Sequence, residues 1–414
     1  MKILFLHDAF PAQFGHLALE LTRRYGWECH FLVEAISNCP APSPAMLESL
    51  DVRSYPLSEA YRNKGSVPWP QIYGWFLELC EAAFEGIRRS GLQPDLVVGH
   101  GGRGAPTAFL RDAVDCPILN YCEYYFAPSH RDIAYRVDLP PAEPAPFFPK
   151  CINAPVLLSL ADADGGYSAT RWQRDAFPER FRHKIEVHFD GIDADLYRPG
   201  PAPREIAGRA IPADMKVVTF VSRGLESIRG FDLFMEVAGR IGRQRSDVIF
   251  VVVGSDGIYY GWDKLHVGRE TFKEWVLERG DHDLSRFLFT GHVEPPILAD
   301  ILRISDLHLY LTAPFVLSWS LMNALSTGLT VLVSDVGPVR EMVDHGVNGL
   351  VEPLFDVERL AETALRVLAD PAEYAPLGRA GRERILEKYS IDAAIPPLKD
   401  YFERVVAAGP RRDV

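Results

Sequence analysis

The stretch VVTFVSRGLESIRGFDLFMEVAGR, residues 217–240, decides the fold. Residues 217–222 form a mostly apolar run, the pattern of a parallel strand covered on both faces. A turn punctuated by Gly224 and Gly230 follows, and from Phe231 to Arg243 apolar residues return at helical spacing. Strand, glycine turn and helix make half of a βαβ unit, and the chain repeats that unit on both sides. Downstream, strand candidates at 248–253, 287–290, 307–310, 330–334 and 349–351 alternate with helix candidates at 270–278, 296–304, 319–326, 339–343, 357–369 and 374–388. Upstream, strands are expected at 2–7, 28–33, 95–100, 117–123, 166–168 and 185–189, with helices at 16–25 and 71–90. Between the halves, Arg198-Pro199-Gly200-Pro201-Ala202-Pro203-Arg204 reads as a linker. The expected class is α/β, two Rossmann-like, doubly wound parallel-sheet domains at 1–200 and 201–389. A last piece, 390–414, should carry a helix at 397–408 after the breaker Pro396-Pro397.

The bulk properties fit that reading. The 414 residues are enough for two sizeable cores, and 47% hydrophobic with 24% charged residues is ordinary globular composition. With 44 Lys and Arg against 56 Asp and Glu, the formal charge is −12, which argues against nucleic acid or an anionic membrane as the main partner. Six cysteines without a CxxC pair suggest reduced core thiols of a cytoplasmic protein. The opening MKILFLHDAF is interrupted by His7 and Asp8 too soon for a signal peptide. Residues 309–334 carry no charge and could span a bilayer by length, but Pro314, Asn323 and Gly328 break the run into strand, loop, buried helix and strand.

In open α/β sheets, ligands bind beyond the carboxyl ends of the strands, often at helix N-termini. Arg223 and Arg229 stand in such a place, and guanidinium groups six residues apart across a turn can converge on a phosphate. The alternative is two solvated surface arginines. Ser318, Trp319, Ser320 and Leu321 place backbone N–H groups at a helix start, with Asn323 one turn on; the alternative is a core helix with capping serines. Ser222, Gly254, His292, Val293 and Phe315 lie at or beyond the ends of second-half strands and complete the second-half set of candidate binding residues. In the first half, the loop from Asp8 to Gly15 is not GxGxxG, so the dinucleotide fingerprint is missing, although Gly15 permits close backbone approach. Phe14, His100, Arg103, Glu123 and Tyr124 stand near strand ends; Glu123 and His100 could serve as acid, base or cation stabiliser, and lone residues of these types are more often structural. The pairs Asp162/Asp164 and Asp193/Asp195 have DxD spacing, common by chance, and no metal is assigned.

Together these residues resemble the retaining nucleotide-sugar glycosyltransferases of family 4, with the GT-B fold, almost end to end. The Gly15 loop is similar to the family's acceptor-side glycine loop. Phe189-Asp190-Gly191-Ile192-Asp193 is similar to its NGvD turn, with Asp190 in the Asn place. Ser222-Arg223 through Arg229-Gly230 resembles its GR…KG loop. Residues 323–335 resemble EAxAxGxPVixsd, and Glu341 through Gly349 resembles E.v.dg.nG. The stretches FPAQFGHLA, TRWQRDAFP and PFVLSWSL further resemble a bacterial branch.

The resemblance implies two domains facing a cleft, a C-terminal helix returning to the first domain, and a UDP- or GDP-linked sugar donor used without metal. It implies catalytic roles for Arg223 and Arg229 at the departing diphosphate, backbone amides of residues 318–321 on the phosphates, and Asn323 at the ribose in place of a Glu. Phe315 replaces another Glu that contacts the sugar, and Glu123 replaces a His, so donor recognition must differ. Glu123 would stabilise the oxocarbenium-like centre or, as the lesser option, act as nucleophile. The acceptor side would be Phe14, His100, Arg103 and Tyr124, for a sugar, lipid, protein or small-molecule acceptor, with peripheral contact at the inner membrane face left open. The alternatives on the same fold are a glycan phosphorylase, which would be longer if of the pyridoxal type, a nucleotide-sugar epimerase, which needs more carboxylates, and a non-catalytic binding subunit.

Overall fold

The computed structural model describes residues 1–36, 41–59, 72–101, 106–126, 135–139, 148–260, 263 and 267–411. The chain divides into two compact units. The first comprises Met1–Ala127, Pro144–Gly191 and Asp392–Val414; the second comprises Pro128–Glu143 and Ile192–Ile391. The chain therefore changes unit at Gly191/Ile192 rather than at 200/201, and the second unit contains residues from the middle of the first unit's sequence.

The first unit holds strands β1 (Lys2–Phe10), β2 (Glu28–Ile36), β3 (Asp51–Ser54), β4 (Leu96–His100), β5 (Ile118–Tyr121), β6 (Gly165–Ser168) and β7 (Ile185–Val187). They form one parallel sheet in the order β3-β2-β1-β4-β5-β6-β7. Ile3, Leu4, Phe5 and Leu6 are at most 1% exposed, as a central strand covered on both faces requires. Several features differ from the sequence expectation. Strand β1 runs on through Phe10, so Asp8, Ala9 and Phe10 belong to the strand and not to the loop. Strand β3 is a short polar edge strand and has no apolar run to announce it. Phe148–Asp162 is a helix with Pro155 inside it. The C-terminal helix is Ile391–Ala408, so Pro396-Pro397 lies within a helix and does not break before it. That helix is fixed in the first unit by burial of Ile395, Leu398 and Phe402 and by the Tyr401 hydroxyl, which donates to Gly166 O at 3.0 Å. This packing outweighs the backbone cost of the prolines.

The second unit begins with a small antiparallel hairpin, β8 (Glu205–Ile206) and β9 (Arg209–Ala210), followed by β10 (Lys216–Gly224), β11 (Val248–Ser255), β12 (Phe287–Gly291), β13 (Leu307–Tyr310), β14 (Val331–Ser334) and β15 (Leu350–Glu352). Its sheet is parallel in the order β12-β11-β10-β13-β14-β15. The helices Phe231–Gln244 and Val357–Ala369 cover it, with Phe231, Phe234, Val237, Ile241, Leu360, Ala364 and Val367 in one core. The uncharged run at 309–334 resolves into the end of β13, a loop, helix Trp319–Ser326 and β14. No helix among the described residues is long and apolar enough to cross a membrane.

Candidate active site

In the second unit the chain runs outward from β10 to β11 and β12, then returns to place β13 beside β10. The crevice at such a reversal is where open α/β sheets take ligands. Arg223 is the next-to-last residue of β10, Arg229 lies in the turn after it, and Phe315 through Asn323 follow β13, so both candidate groups stand at this switch point.

The turn after β10 is built rigidly. Ser227–Arg229 is a single 3-10 turn, closed by Gly230 at φ 71°. A Cβ at Gly230 would stand 2.1 Å from Leu311 O, so only glycine lets the turn lie against the extension of β13. Ile228 O accepts from Ala313 N at 2.9 Å and from the Thr312 hydroxyl at 3.2 Å. Gly254, at φ 149°, would carry a Cβ 2.5 Å from Ser222 O, so the ends of β10 and β11 also close up only because this residue is glycine. The Ser222 hydroxyl is turned inward, donating to Gly224 O at 2.7 Å.

The two guanidinium groups converge on one ring. Arg223 Nη1 donates to the Tyr260 hydroxyl at 3.2 Å, and its Cζ stands 4.4 Å from the Tyr259 centroid and 5.9 Å from that of Tyr260. The Arg229 Cζ is 5.3 Å from the Tyr260 centroid and 5.4 Å from that of Phe315. Tyr260 and Phe315 pack at 5.4 Å. Arg223 is exposed, whereas Arg229 is only 7% exposed. Arg229 Nη1 donates to Val316 O at 2.9 Å, and among the described residues no carboxylate forms an ion pair with it. A nearly buried cation held by one carbonyl and two ring faces is costly in isolation and suits an anion. The Tyr pair is itself anchored from below: the buried Glu226 carboxylate accepts from the backbone N–H groups of Tyr259 and Tyr260.

Across the switch point, Ser318 caps helix Trp319–Ser326, its hydroxyl accepting from Ser320 N at 3.3 Å, and Ser318 N donates to the Tyr310 hydroxyl at 2.9 Å. The capping-serine reading is therefore correct, and it coexists with a helix start aimed at the same edge. Trp319 is 37% exposed; Ser320, Leu321 and Asn323 are buried. Phe315, at 4% exposure, serves as a wall for Arg229 and Tyr260. His292 and Val293 follow β12, two strands from β10, with His292 exposed. Residues 341–349 make a structural turn: the Asn348 side chain accepts from Asp344 N at 2.7 Å and donates to Met342 O at 3.0 Å.

The first unit has its own strand-end cluster. His7, in the second half of β1, lies 4.4 Å from the His100 ring at the end of β4, and Phe14 packs edge-on against both. His100 Nε2 is 3.9 Å from Glu123 Oε1. Gly15 starts helix Gly15–Tyr25, and a Cβ there would fall 2.3 Å from the Pro11 Cβ. Gln13 donates to Asp190 Oδ2 and, at 3.3 Å, to the Tyr121 hydroxyl. Burial pushes the Asp190 carboxyl up to about 7, with nearby Glu123 adding to the shift against the Gln13 and Tyr121 hydrogen bonds. Neither Gln13 nor Asp190 carries a sequence signal for this pairing; only the fold brings them together. Tyr124 is 2% exposed and its ring is taken up by Trp172 and Phe126, a packing role. Arg103 lies outside the described residues. Three of the four DxD carboxylates serve the backbone: Asp162 Oδ2 accepts from Phe109 N, Asp164 Oδ2 from Ile118 N, and Asp193 Oδ1 from Leu196 N.

Comparison with known proteins bears on the family and the fold. A model described as glycosyl transferase family 4 group matches residues 78–197, and one described as glycosyl transferases group 1 matches residues 202–384. A D-inositol 3-phosphate glycosyltransferase from Gordonia bronchialis is 27% identical over 232 residues, 54% of this chain and 48% of the relative. A 2-deoxystreptamine glucosyltransferase from Streptomyces kanamyceticus is 27% identical over 225 residues, 54% of this chain and 55% of the relative. The chain thus spans about half the length of these curated relatives. Among solved structures, the sucrose-phosphate synthase of Thermosynechococcus elongatus superposes with a TM-score of 0.75 at 16% identity, covering 99% of this chain and 100% of the other. Anabaena HepE in complex with UDP-glucose superposes with a TM-score of 0.68 at 16% identity, covering 99% and 100%. These likenesses establish a shared fold.

Proposed function

The chain belongs to the family 4 glycosyltransferases, and from that premise we propose that it moves a sugar from a UDP- or GDP-linked donor to a hydroxyl acceptor, with retention and without a metal. The observation that carries the proposal is the convergence of Arg223 and Arg229 on Tyr260 at the switch point, with Arg229 nearly buried and free of a carboxylate ion pair among the described residues.

Breaking the glycosyl–phosphate bond leaves positive charge on the sugar and negative charge on the diphosphate. Fixed cations at the departing phosphates lower that barrier without reorganising during the reaction. Arg229 would supply the held charge, Arg223 an adjustable one at the surface, and the helix start at Ser318–Ser320 further N–H groups. Two arginines make a divalent cation unnecessary for neutralising the leaving group. A phosphate oxygen would take the acceptor's proton, and the strand-end cluster of the first unit would receive the acceptor. We place this activity in the cytoplasm.

The test is a panel of UDP-, GDP- and dTDP-sugars, with release of the nucleoside diphosphate and calorimetric binding as readouts. Turnover with one donor class supports the reading. Absence of binding to every donor would overturn it in favour of a non-catalytic subunit.

A further inference from the structure

The second unit contains five described residues that the sequence places in the middle of the first. Residues 135–139 precede helix Phe148–Asp162 of the first unit, yet they cluster with the second. Leu139 is 8% exposed within the core that includes Phe231 and Leu354, and Tyr135 stacks on Phe355 with centroids 5.6 Å apart. Arg136 lies between these two anchors, its side chain 4% exposed.

Every donor of this guanidinium is engaged. Nε donates to Asp138 Oδ1 at 2.9 Å. Nη2 donates to Asp138 Oδ2 at 2.7 Å and to Asp232 Oδ2 at 2.5 Å. Nη1 donates to Asp232 Oδ1 at 3.1 Å and to the carbonyl oxygen of Ser227 at 2.5 Å. That accounts for all five N–H groups of an arginine, in the forked geometry that a lysine cannot reproduce. Its acceptors bracket the arginine turn: Ser227 opens it, Asp232 is in the first turn of the helix that follows, and Arg229 and Gly230 lie between. Ser227 is held from the other side as well, its N–H donating to Asp263 Oδ2 at 3.0 Å and its hydroxyl to Asp263 Oδ1. With Ser227 gripped on both sides and Gly230 pressed on Leu311, the backbone that aims Arg229 has little room to move.

We infer that Arg136 is a positioning residue for the phosphate-binding turn, and that residues 135–139 are a strap lent by the first half of the sequence to complete the donor unit. The inference deepens the proposed function, since it rests on Arg229 meeting the diphosphate. It also means that the contiguous segment 202–384 lacks a part that its phosphate turn uses.

The experiment uses the full chain and the variants Arg136→Ala, Arg136→Lys and Arg229→Ala, singly and combined, with UDP as the titrant and amide hydrogen exchange as a second readout. Exchange in residues 226–231 should rise about tenfold or more in Arg136→Ala while strand 248–253 keeps its protection, as expected for a local opening. UDP affinity should fall about tenfold in Arg136→Ala, with partial recovery in Arg136→Lys. In Arg229→Ala it should fall further, and adding Arg136→Ala there should cost almost nothing more, because one residue acts through the other. Unchanged exchange in 226–231, or losses that multiply in the double variant, would overturn the inference. A merely structural residue would lower protection throughout the unit and show no coupling to Arg229. If Arg136→Ala does not accumulate as folded protein, Arg136→Lys carries the same cycle. If the parent chain binds neither UDP nor GDP, the glycosyl-transfer reading fails, and the exchange result alone decides whether the strap holds the turn.

Discussion

The two sheets carry opposite chemistry at the same edge. Toward the carboxyl ends of β1, β4 and β5, the first unit gathers His7, His100, Tyr121, Glu123 and the buried Asp190. At the end of β10 and beyond β10 and β13, the second gathers Arg223, Arg229 and a helix start. Parallel sheets with strand-to-helix connections underlie both, so the backbone decides where ligands can be met and the side chains decide which ligands. At the second unit's strand end the nearly buried Arg229 is a cation that no carboxylate pairs with among the described residues; at the first unit's, Asp190 is a carboxyl whose surroundings favour the neutral form. The lesson is that burial at a strand end creates an unmet electrostatic demand, and the sign of that demand names the ligand class.

The sharpest way to break this comparison is to remove the unmet cation. Arg229→Ala should lower turnover by about two to four orders of magnitude, as loss of charge stabilisation in the transition state does. Arg223→Ala should cost about tenfold, since an exposed guanidinium is screened by water and salt. Steady-state rates of nucleoside diphosphate release check both. Equal losses for the two would mean that burial does not set their weight. One step smaller, Gly230→Ala tests the backbone beneath the arginine. Positive φ and contact with Leu311 O together should cost about 3 kcal/mol in urea unfolding. A loss below about 1 kcal/mol would show that the turn can relax away from β13.

The first unit's counterpart is Asp190. An unfolded Asp titrates near 3.8, whereas burial raises this one to about 7. Between those values the folded state holds a proton that the unfolded state has lost, so this group's contribution to stability falls as pH rises from about 4 to about 7. Asp190→Asn keeps the shape without the charge. Relative to the parent it should gain about 4 kcal/mol as pH goes from 4 to 8. Urea unfolding of both proteins at the two pH values measures the difference. His308 in β13 supplies the opposite sign within the second unit: burial lowers it to about 3, so its contribution falls as pH drops below 6.5. A pH-independent difference between Asp190→Asn and the parent would show that the first unit carries no buried electrostatic demand at its strand end.

Much of this was legible because local rules and tertiary packing agreed. Helix Trp319–Ser326 and strand Leu307–Tyr310 fall where capping serine and apolar run place them, and the glycine turn after β10 exposes both arginines to inspection. What was not legible depended on distance or on weak local pattern. Strand Asp51–Ser54 is an edge strand without an apolar face, and helix Phe148–Asp162 is too evenly apolar to show a period. The prolines at 396 and 397 read locally as a stop, and packing of the helix overrides them. Tyr260, Asp263 and Arg136 carry no motif; they are functional neighbours only because Glu226 holds one, Ser227 another, and the third reaches its partners across 91 and 96 residues of sequence.

Tyr260 offers the smallest and most discriminating test of the contrast. Its ring faces both guanidinium groups, while its hydroxyl, among the described residues, is hydrogen-bonded to Arg223. Tyr260→Phe removes the hydroxyl and keeps the ring. A single hydrogen bond to an exposed arginine is worth about 1 kcal/mol or less, so the donor KM should rise only about two- to fivefold with kcat unchanged. Tyr260→Leu removes the face as well and should add a further loss of about 0.5–2 kcal/mol, through Arg229, because a partly desolvated cation–π contact is the stronger kind. In the Arg229→Ala background that added loss should disappear, whereas the effect of Tyr260→Phe should persist. The reverse pattern would mean that the ring serves the exposed arginine and that Arg229 is held by Val316 and Phe315 alone. The second unit's buried cation would then be positioned without the aromatic platform, and its likeness to the first unit, where Gln13 and Tyr121 grip Asp190, would end at burial.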